Sequence, residues 1–196
     1  MSLILASSSP FRKAILDKLG LDFEVVAPEI NEDRGVNESP IDLVTRLSKE
    51  KAVAVAKSKT GLIIASDQVA TLDSGYKPND SVLTKPGSHE NAVLQLKKSS
   101  GKTVNFLTGL VLMNTKNLNT QVHVEHFKVL FKTLSDNQIL KYLSKEDVLN
   151  CAGSFKSEGL GIALFAEMEG NDPNSLIGLP TIQLIDMLAK ENVHVL

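Results

Sequence analysis

The run Ser7-Ser8-Ser9-Pro10-Phe11-Arg12-Lys13 sets three hydroxyls, a proline and two cations directly after the apolar stretch Leu3-Ile4-Leu5-Ala6. Ser9 is a good helix N-cap and Pro10 suits a first helical turn, where the backbone N–H groups have no internal acceptor and point outward. Such a turn binds phosphate. Arg12 within it opposes the helix dipole, an odd place for a cation without an anionic partner. Taken alone, the run reads first as a capped surface helix with a solvated Arg-Lys pair.

Other residues along the chain carry compatible chemistry. Pro28-Glu29-Ile30-Asn31-Glu32-Asp33 gathers carboxylates that suit a hard divalent cation, although an acidic loop is more often merely solvated. Lys51 shares a helical stripe with Ile41, Val44, Ser48 and Val55, so it either snorkels from an apolar face or reaches an anion in a cleft. Asp67 follows the apolar run Leu62-Ile63-Ile64-Ala65 and is expected at the carboxyl end of a central strand, where α/β proteins bind ligands. A turn-forming aspartate is the equal alternative. Lys85 returns near that strand end after the irregular excursion from Leu72 to Val82. Glu158 lies among Gly153, Gly159 and Gly161, and its carboxylate has the acceptor pattern that the N1–H and N2–H₂ edge of a guanine requires.

The elements that must position these groups are readable in order. Helices are expected from Pro10 to near Gly20, from Pro40 to about Lys57 behind the cap Ser39, and from Ser88 to Ser100 with Ala92, Leu94 and Leu96 inward. Ser135 with Gln138 starts a capping box for a helix to about Lys145, and Pro180 opens a last helix. Strands are expected at Phe23–Val26 and Leu62–Val69, and as a hairpin over Thr103–Asn114 and Thr120–Thr133. His123 and His126 turn to opposite faces of their strand and read as ordinary sheet residues.

A chain of 196 residues with 42% hydrophobic composition supports one core, or one core with a cleft between two lobes. Net charge −2 gives no general basic field, so no nucleic-acid partner is expected and any anion site is local. Cys151 is the sole cysteine, which excludes a disulfide framework or a multi-cysteine zinc site. With no run of about 18 apolar residues and only a short N-terminal apolar stretch, no membrane partner is expected and the protein is read as soluble and cytoplasmic.

Ser7-Ser8-Ser9-Pro10, Arg12, Lys51-Ala52, Asp67-Gln68-Val69, Lys85-Pro86, Thr108-Gly109, Ala152-Gly153-Ser154-Phe155, Gly170, Asp172-Pro173 and Gly178-Leu179-Pro180 together resemble the Maf family of nucleotide pyrophosphatases, in order and across the whole chain. The resemblance implies a single domain over residues 1–196. Its fold would be α/β, like the inosine-triphosphate pyrophosphatases: an elongated mixed central sheet with helices, and two lobes around a cleft for a nucleoside triphosphate. It implies release of pyrophosphate with a divalent cation, Mg²⁺ or Mn²⁺. Homodimers are common for this architecture.

By the same resemblance, Arg12, Lys51 and Lys85 supply charge to the phosphates, Ser7 and Ser9 hold phosphate oxygens, Glu32 binds the metal, and Asp67 deprotonates the attacking water. Phe11, Gln68 and Glu158 resemble the branch acting on 7-methyl-GTP; the branch acting on dTTP and UTP usually has arginine, threonine and glutamine there. The alternatives are a pyrimidine-directed or broad pyrophosphatase, and a non-catalytic nucleotide-binding regulator of cell division. The chain departs from the family at Phe11, where tryptophan or arginine is more usual, and at Lys13, Asn31 and Thr84, where arginine, aspartate and glycine are more usual.

Overall fold

Leu3–Ala6 forms β1 with every side chain buried. The computed structural model describes residues 1–196 and runs β1 through the serine turn into helix α1, Pro10–Asp17. The remaining elements are β2 (Glu24–Val26), α2 (Pro40–Ala56), β3 (Leu62–Thr71), α3 (His89–Ser99), β4 (Thr103–Asn114), β5 (Thr120–Phe131), α4 (Asp136–Leu143), β6 (Phe165–Glu169), α5 (Pro173–Ile177) and α6 (Thr181–Lys190). Two short 3₁₀ turns, Ala152–Ser154 and Leu160–Leu164, lie before β6. The sheet order is β2-β1-β3-β4-β5-β6. β1 is parallel to β2 and β3, and the other pairs are antiparallel. This is a mixed α/β sheet, as expected.

The register of β1 creates the opening for a site. β1 ends with Ala6 opposite Ala65, whereas β3 runs on to Thr71. Beyond Ala65 that edge of β3 meets no strand until the isolated bridge from Ala70 to Leu83. From Ser66 to Val69 the edge is therefore open, and residues on both faces of β3 are reachable from one side.

Helix α2 covers one face of the sheet, packing Ala52 and Val55 on Ile4, Ile63 and Val111, and Val44 and Leu47 on Val69 and Leu107. On the other face, α1 and α6 cover β1 and the near ends of β3 and β4 through Ile15, Leu16, Leu184 and Leu188. The far half of that face is covered by α3, α4 and the 3₁₀ turns around Phe106, Phe127, Phe131, Phe155 and Phe165. Phe155 meets Phe106, Phe131 and Phe165 edge to face, with centroids 4.9–5.5 Å apart.

Several expectations change. Asp67 is not at the end of β3 but inside it, opposite Gly109. It is at the carboxyl end of the parallel pair only, because β1 stops first. Leu94 faces out, 56% exposed, since α3 buries Ala92, Leu96 and Ser99 instead. β6 and α5 had no counterpart in the sequence reading, and α4 ends at Leu143. No helix is long and apolar enough to cross a membrane.

Candidate functional site

A cleft of about 790 Å³ opens at the free edge of β3. Ser7, Ser9, Phe11, Arg12, Glu32, Lys51, Asp67, Gln68, Lys85 and Glu158, the ten residues singled out in the sequence, all line it. They come from six segments of the sequence that only the fold brings together.

Lys51 sits at its centre. The stripe that carries it is buried, and its side chain is only 7% exposed. It does not snorkel to water: Nζ donates to Asp67 Oδ1 at 2.5 Å and stands 2.7 Å from Glu32 Oε1. Helix α2 comes close enough because β4 has Gly109 beneath it. A Cβ at that position would lie 2.6 Å from both Ser48 Oγ and the Val44 carbonyl oxygen. Gly109 is also the partner of Asp67 in the sheet, so the same close approach sets the height of Lys51 over the carboxylate.

The serine turn is partly committed to its own structure. Ser9 caps α1, accepting from the Arg12 N–H at 3.4 Å, and the Ser9 N–H donates to Ser7 Oγ at 3.1 Å. The Ser7 N–H goes to the Leu5 carbonyl at 3.1 Å. The expected row of outward N–H groups is thus narrowed to Ser8 and Phe11. Arg12 is fixed from the far end of the chain: Nε donates to the Gly178 carbonyl at 2.8 Å. The same carbonyl accepts from Ser66 Oγ at 2.9 Å. Burial pulls the Arg12 guanidinium below its ordinary pKa, while the charges of Asp67 and Glu32 oppose this. Its charge is therefore felt by both carboxylates.

Glu32 is pushed upward by burial, but the hydrogen bond and charge of Lys51, with Lys85 and Arg12 behind, outweigh this and hold the carboxyl below its ordinary range. Asn31 is exposed, and its Oδ1 accepts from the Asp33 N–H at 2.8 Å in a local turn, outside the cleft lining. Lys13 points away too, paired with Asp17 at 2.8 Å. Thr84 lines the cleft, and its carbonyl accepts from Gln95 Nε2 at 3.0 Å.

Gln68 is on the opposite face of β3 from Asp67. Its Nε2 donates to Thr108 Oγ1 at 3.0 Å and to the carbonyls of Ser175 and Leu176 at 2.7 and 3.2 Å. With both amide hydrogens engaged against α5, the oxygen remains for a ligand. Glu158 is exposed on the cleft wall, with Phe155 buried beside it.

Sequence reading missed Asp147 and Lys156, which line the same end, and the carbonyl of Gly178. The last had a signal: Gly178 adopts φ +120°, a conformation that favours glycine, in the run Gly178-Leu179-Pro180. Burial first, then Glu158 and other carboxylates against Lys156, raises the Cys151 thiol to about 11, so it stays protonated and inert.

The donor set suits a hard divalent cation. Glu32 and Asp67 converge within reach of one ammonium, and Glu32 Oε2 and Asp67 Oδ2 have no protein donor. No cluster of three or more metal-ligating side chains converges, so other ligands would be phosphate oxygens and water.

A profile of the Maf-like protein family matches residues 2–191. A protein of Alcanivorax borkumensis named 7-methyl-GTP pyrophosphatase is 53% identical over 194 residues, covering 98% of this chain and 95% of that one. One of the same name from Pseudoalteromonas atlantica is 51% identical over 195 residues, covering 100% and 97%. Among solved structures, a nucleoside-triphosphatase / dITP/XTP pyrophosphatase of Mycobacterium abscessus superposes with a TM-score of 0.51 at 19% identity, covering 96% of this chain and 100% of that one. The Ham1 protein of Staphylococcus aureus gives 0.52 at 11% identity, covering 97% and 100%. These two likenesses concern the fold.

Proposed function

The chain belongs to the Maf family, and from that membership and the cleft we propose that it hydrolyses 7-methyl-GTP to 7-methyl-GMP and pyrophosphate. The observation that carries this reading is the meeting of Lys51 with Asp67 and Glu32 at the open edge of β3. Arg12, Lys51 and Lys85 line the same cleft.

A triphosphate carries nearly four negative charges. Three cations against two carboxylates leave the protein short of that charge, which is why a divalent ion fits the site. Glu32, with Asp67 beside it, would hold Mg²⁺ or Mn²⁺. When bound, the ion would supply charge stabilisation to the phosphate oxygens.

The side chains would do the rest. Ser7 Oγ, the free N–H groups of Ser8 and Phe11, and Arg12 would grip phosphate oxygens. Lys51 and Lys85 would neutralise the charge that moves onto the leaving pyrophosphate. Asp67 Oδ2, the oxygen turned from Lys51, would take the proton from a water attacking the α-phosphorus. The water oxygen bonds to that phosphorus as its bond to the bridging oxygen breaks, and pyrophosphate departs with the bridging electron pair.

The base would lie toward Phe155 and Glu158. A 7-methylguanine ring carries a fixed positive charge. Phe11 offers it an aromatic face, and Glu158 offers an acceptor with the compensating charge.

A panel of canonical and methylated triphosphates, assayed for pyrophosphate with Mg²⁺ and with Mn²⁺, tests this. 7-Methyl-GTP should give the highest kcat/KM. A lead for dTTP or UTP would replace the substrate assignment, and tight binding without pyrophosphate release would replace the enzymatic one.

A further inference from the structure

Two loops meet beside the cleft. Residues 28–38 carry Glu32, and residues 72–82 lead back through Leu83 to Lys85. Each has its own anchors. In the first, Arg46 holds Glu38 through Nε and Nη2 at 2.7 and 2.9 Å, and the Asp33 carbonyl at 2.9 Å. The second folds around Asp80, whose Oδ2 accepts from Ser74 Oγ at 2.7 Å and from the N–H groups of Gly75 and Lys77 at 2.6 and 3.2 Å. Its base is tied down separately, by the Ile41 N–H to the Gly75 carbonyl at 3.0 Å and by Asn105 Nδ2 to the Asp73 carbonyl at 2.8 Å.

One side chain joins the two loops. Arg34 Nε donates to the Glu38 carbonyl at 2.7 Å in its own loop. Its Nη1 and Nη2 donate to the carbonyls of Asp80 and Pro78 at 2.9 and 3.1 Å in the other. Arg34 forms no ion pair; all three partners are backbone oxygens. A planar fork of donors facing three carbonyls fixes their mutual distance and angle, which a flexible ammonium does not.

We infer that Arg34 is a positioning residue that locks the Glu32 loop against the Lys85 loop and so sets the separation of the metal-binding carboxylate and the phosphate-binding lysine. This rests on the pyrophosphatase reading of the cleft. Glu32 and Lys85 line the same cleft. Each loop keeps anchors besides Arg34, Arg46 in the first and Asp80 in the second, so loss of Arg34 frees their relative placement without unfolding either.

The test uses the full chain with R34M and R34K. Pyrophosphate release is measured across concentrations of 7-methyl-GTP and Mg²⁺, beside thermal melting and amide hydrogen exchange over residues 73–83. In R34M the KM and the half-saturating Mg²⁺ concentration should each rise about tenfold, with a smaller fall in kcat. Exchange over residues 73–83 should quicken, and R34K should recover only part of either effect. An Arg34 that serves stability alone would lower the melting temperature and the active fraction while leaving KM and the Mg²⁺ requirement unchanged; that result overturns the inference. So does wild-type behaviour of R34K. If the wild-type chain releases no pyrophosphate, the reading of the cleft fails instead, and unchanged exchange in R34M would still refute the lock between the loops.

Discussion

Lys51 and Asp67 meet at 2.5 Å with side chains only 7% and 11% exposed, one from the middle of α2 and the other from the middle of β3. Burying such a pair costs desolvation that its mutual attraction barely offsets. It is therefore better explained by what it does for a ligand than by what it adds to stability. Glu32 makes the arrangement a triad, and the exposed end of that triad faces the cleft.

Replacing Asp67 by asparagine keeps an oxygen for Lys51 and removes the proton acceptor. Pyrophosphate release should fall about 10²- to 10⁴-fold. Nucleotide affinity, read by calorimetry, should change little. Unaltered turnover would remove Asp67 from the chemistry.

Gly109→Ala puts a methyl group where Ser48 Oγ and the Val44 carbonyl already stand, each 2.6 Å from the new carbon. Helix α2 must lift, and the overpacking should cost about 1–3 kcal/mol in denaturant unfolding. Because Lys51 rides on the same helix, kcat should fall even at temperatures where the variant remains folded. A variant with wild-type turnover would show that the helix height does not matter to the site.

Changing Phe11, Gln68 and Glu158 together to arginine, threonine and glutamine should shift preference from 7-methyl-GTP toward dTTP or UTP, read as the ratio of kcat/KM values. The threonine also forfeits the donors that Gln68 gives to the Ser175 and Leu176 carbonyls, so this variant should melt earlier than a double change sparing Gln68. Retained preference for 7-methyl-GTP would refute the assignment of these three positions.

Acid should weaken the Glu38 anchor. Its hydrogen bond to Arg46, against a smaller opposing effect of burial, holds its carboxyl below the ordinary 4.5. A depressed folded value means that the stability it contributes is whole above 4.5 and fades as pH falls from there through the folded value. Melting curves of wild type and Glu38→Gln should therefore differ most near neutrality and converge in acid. A gap that persists at low pH would assign the stabilisation to something other than the charge of Glu38.

The sequence made the ten cleft residues legible because their chemistry is carried by side-chain type and by order along the chain. It made the long elements legible through caps and periodicity: Ser9, Ser39, Ser88 and Ser135 each cap the helix they precede. What it hid has physical reasons. β6 buries only its first residue, Phe165, so an edge strand of this kind leaves no alternation to read. α5 has five residues, too few for a helical period. β3 was expected to Val69 and runs only two residues further, because Ala70 and Thr71 still pair with Phe106 and Asn105 of β4. Leu94 misled because apolar character alone does not say which way a helix is turned. Arg34 could not be singled out at all: its partners are backbone carbonyls, which every residue possesses.

The carbonyl of Gly178 reaches back across 166 residues to Arg12. During synthesis, a chain that has not yet produced Gly178 has its serine turn and its arginine but nothing to aim the guanidinium. Binding competence would therefore wait until α5 docks on α1 and the carbonyl of Gly178 fixes the arginine made long before it. A growing polypeptide of this sequence would be unable to seize nucleotide before Gly178 has been made.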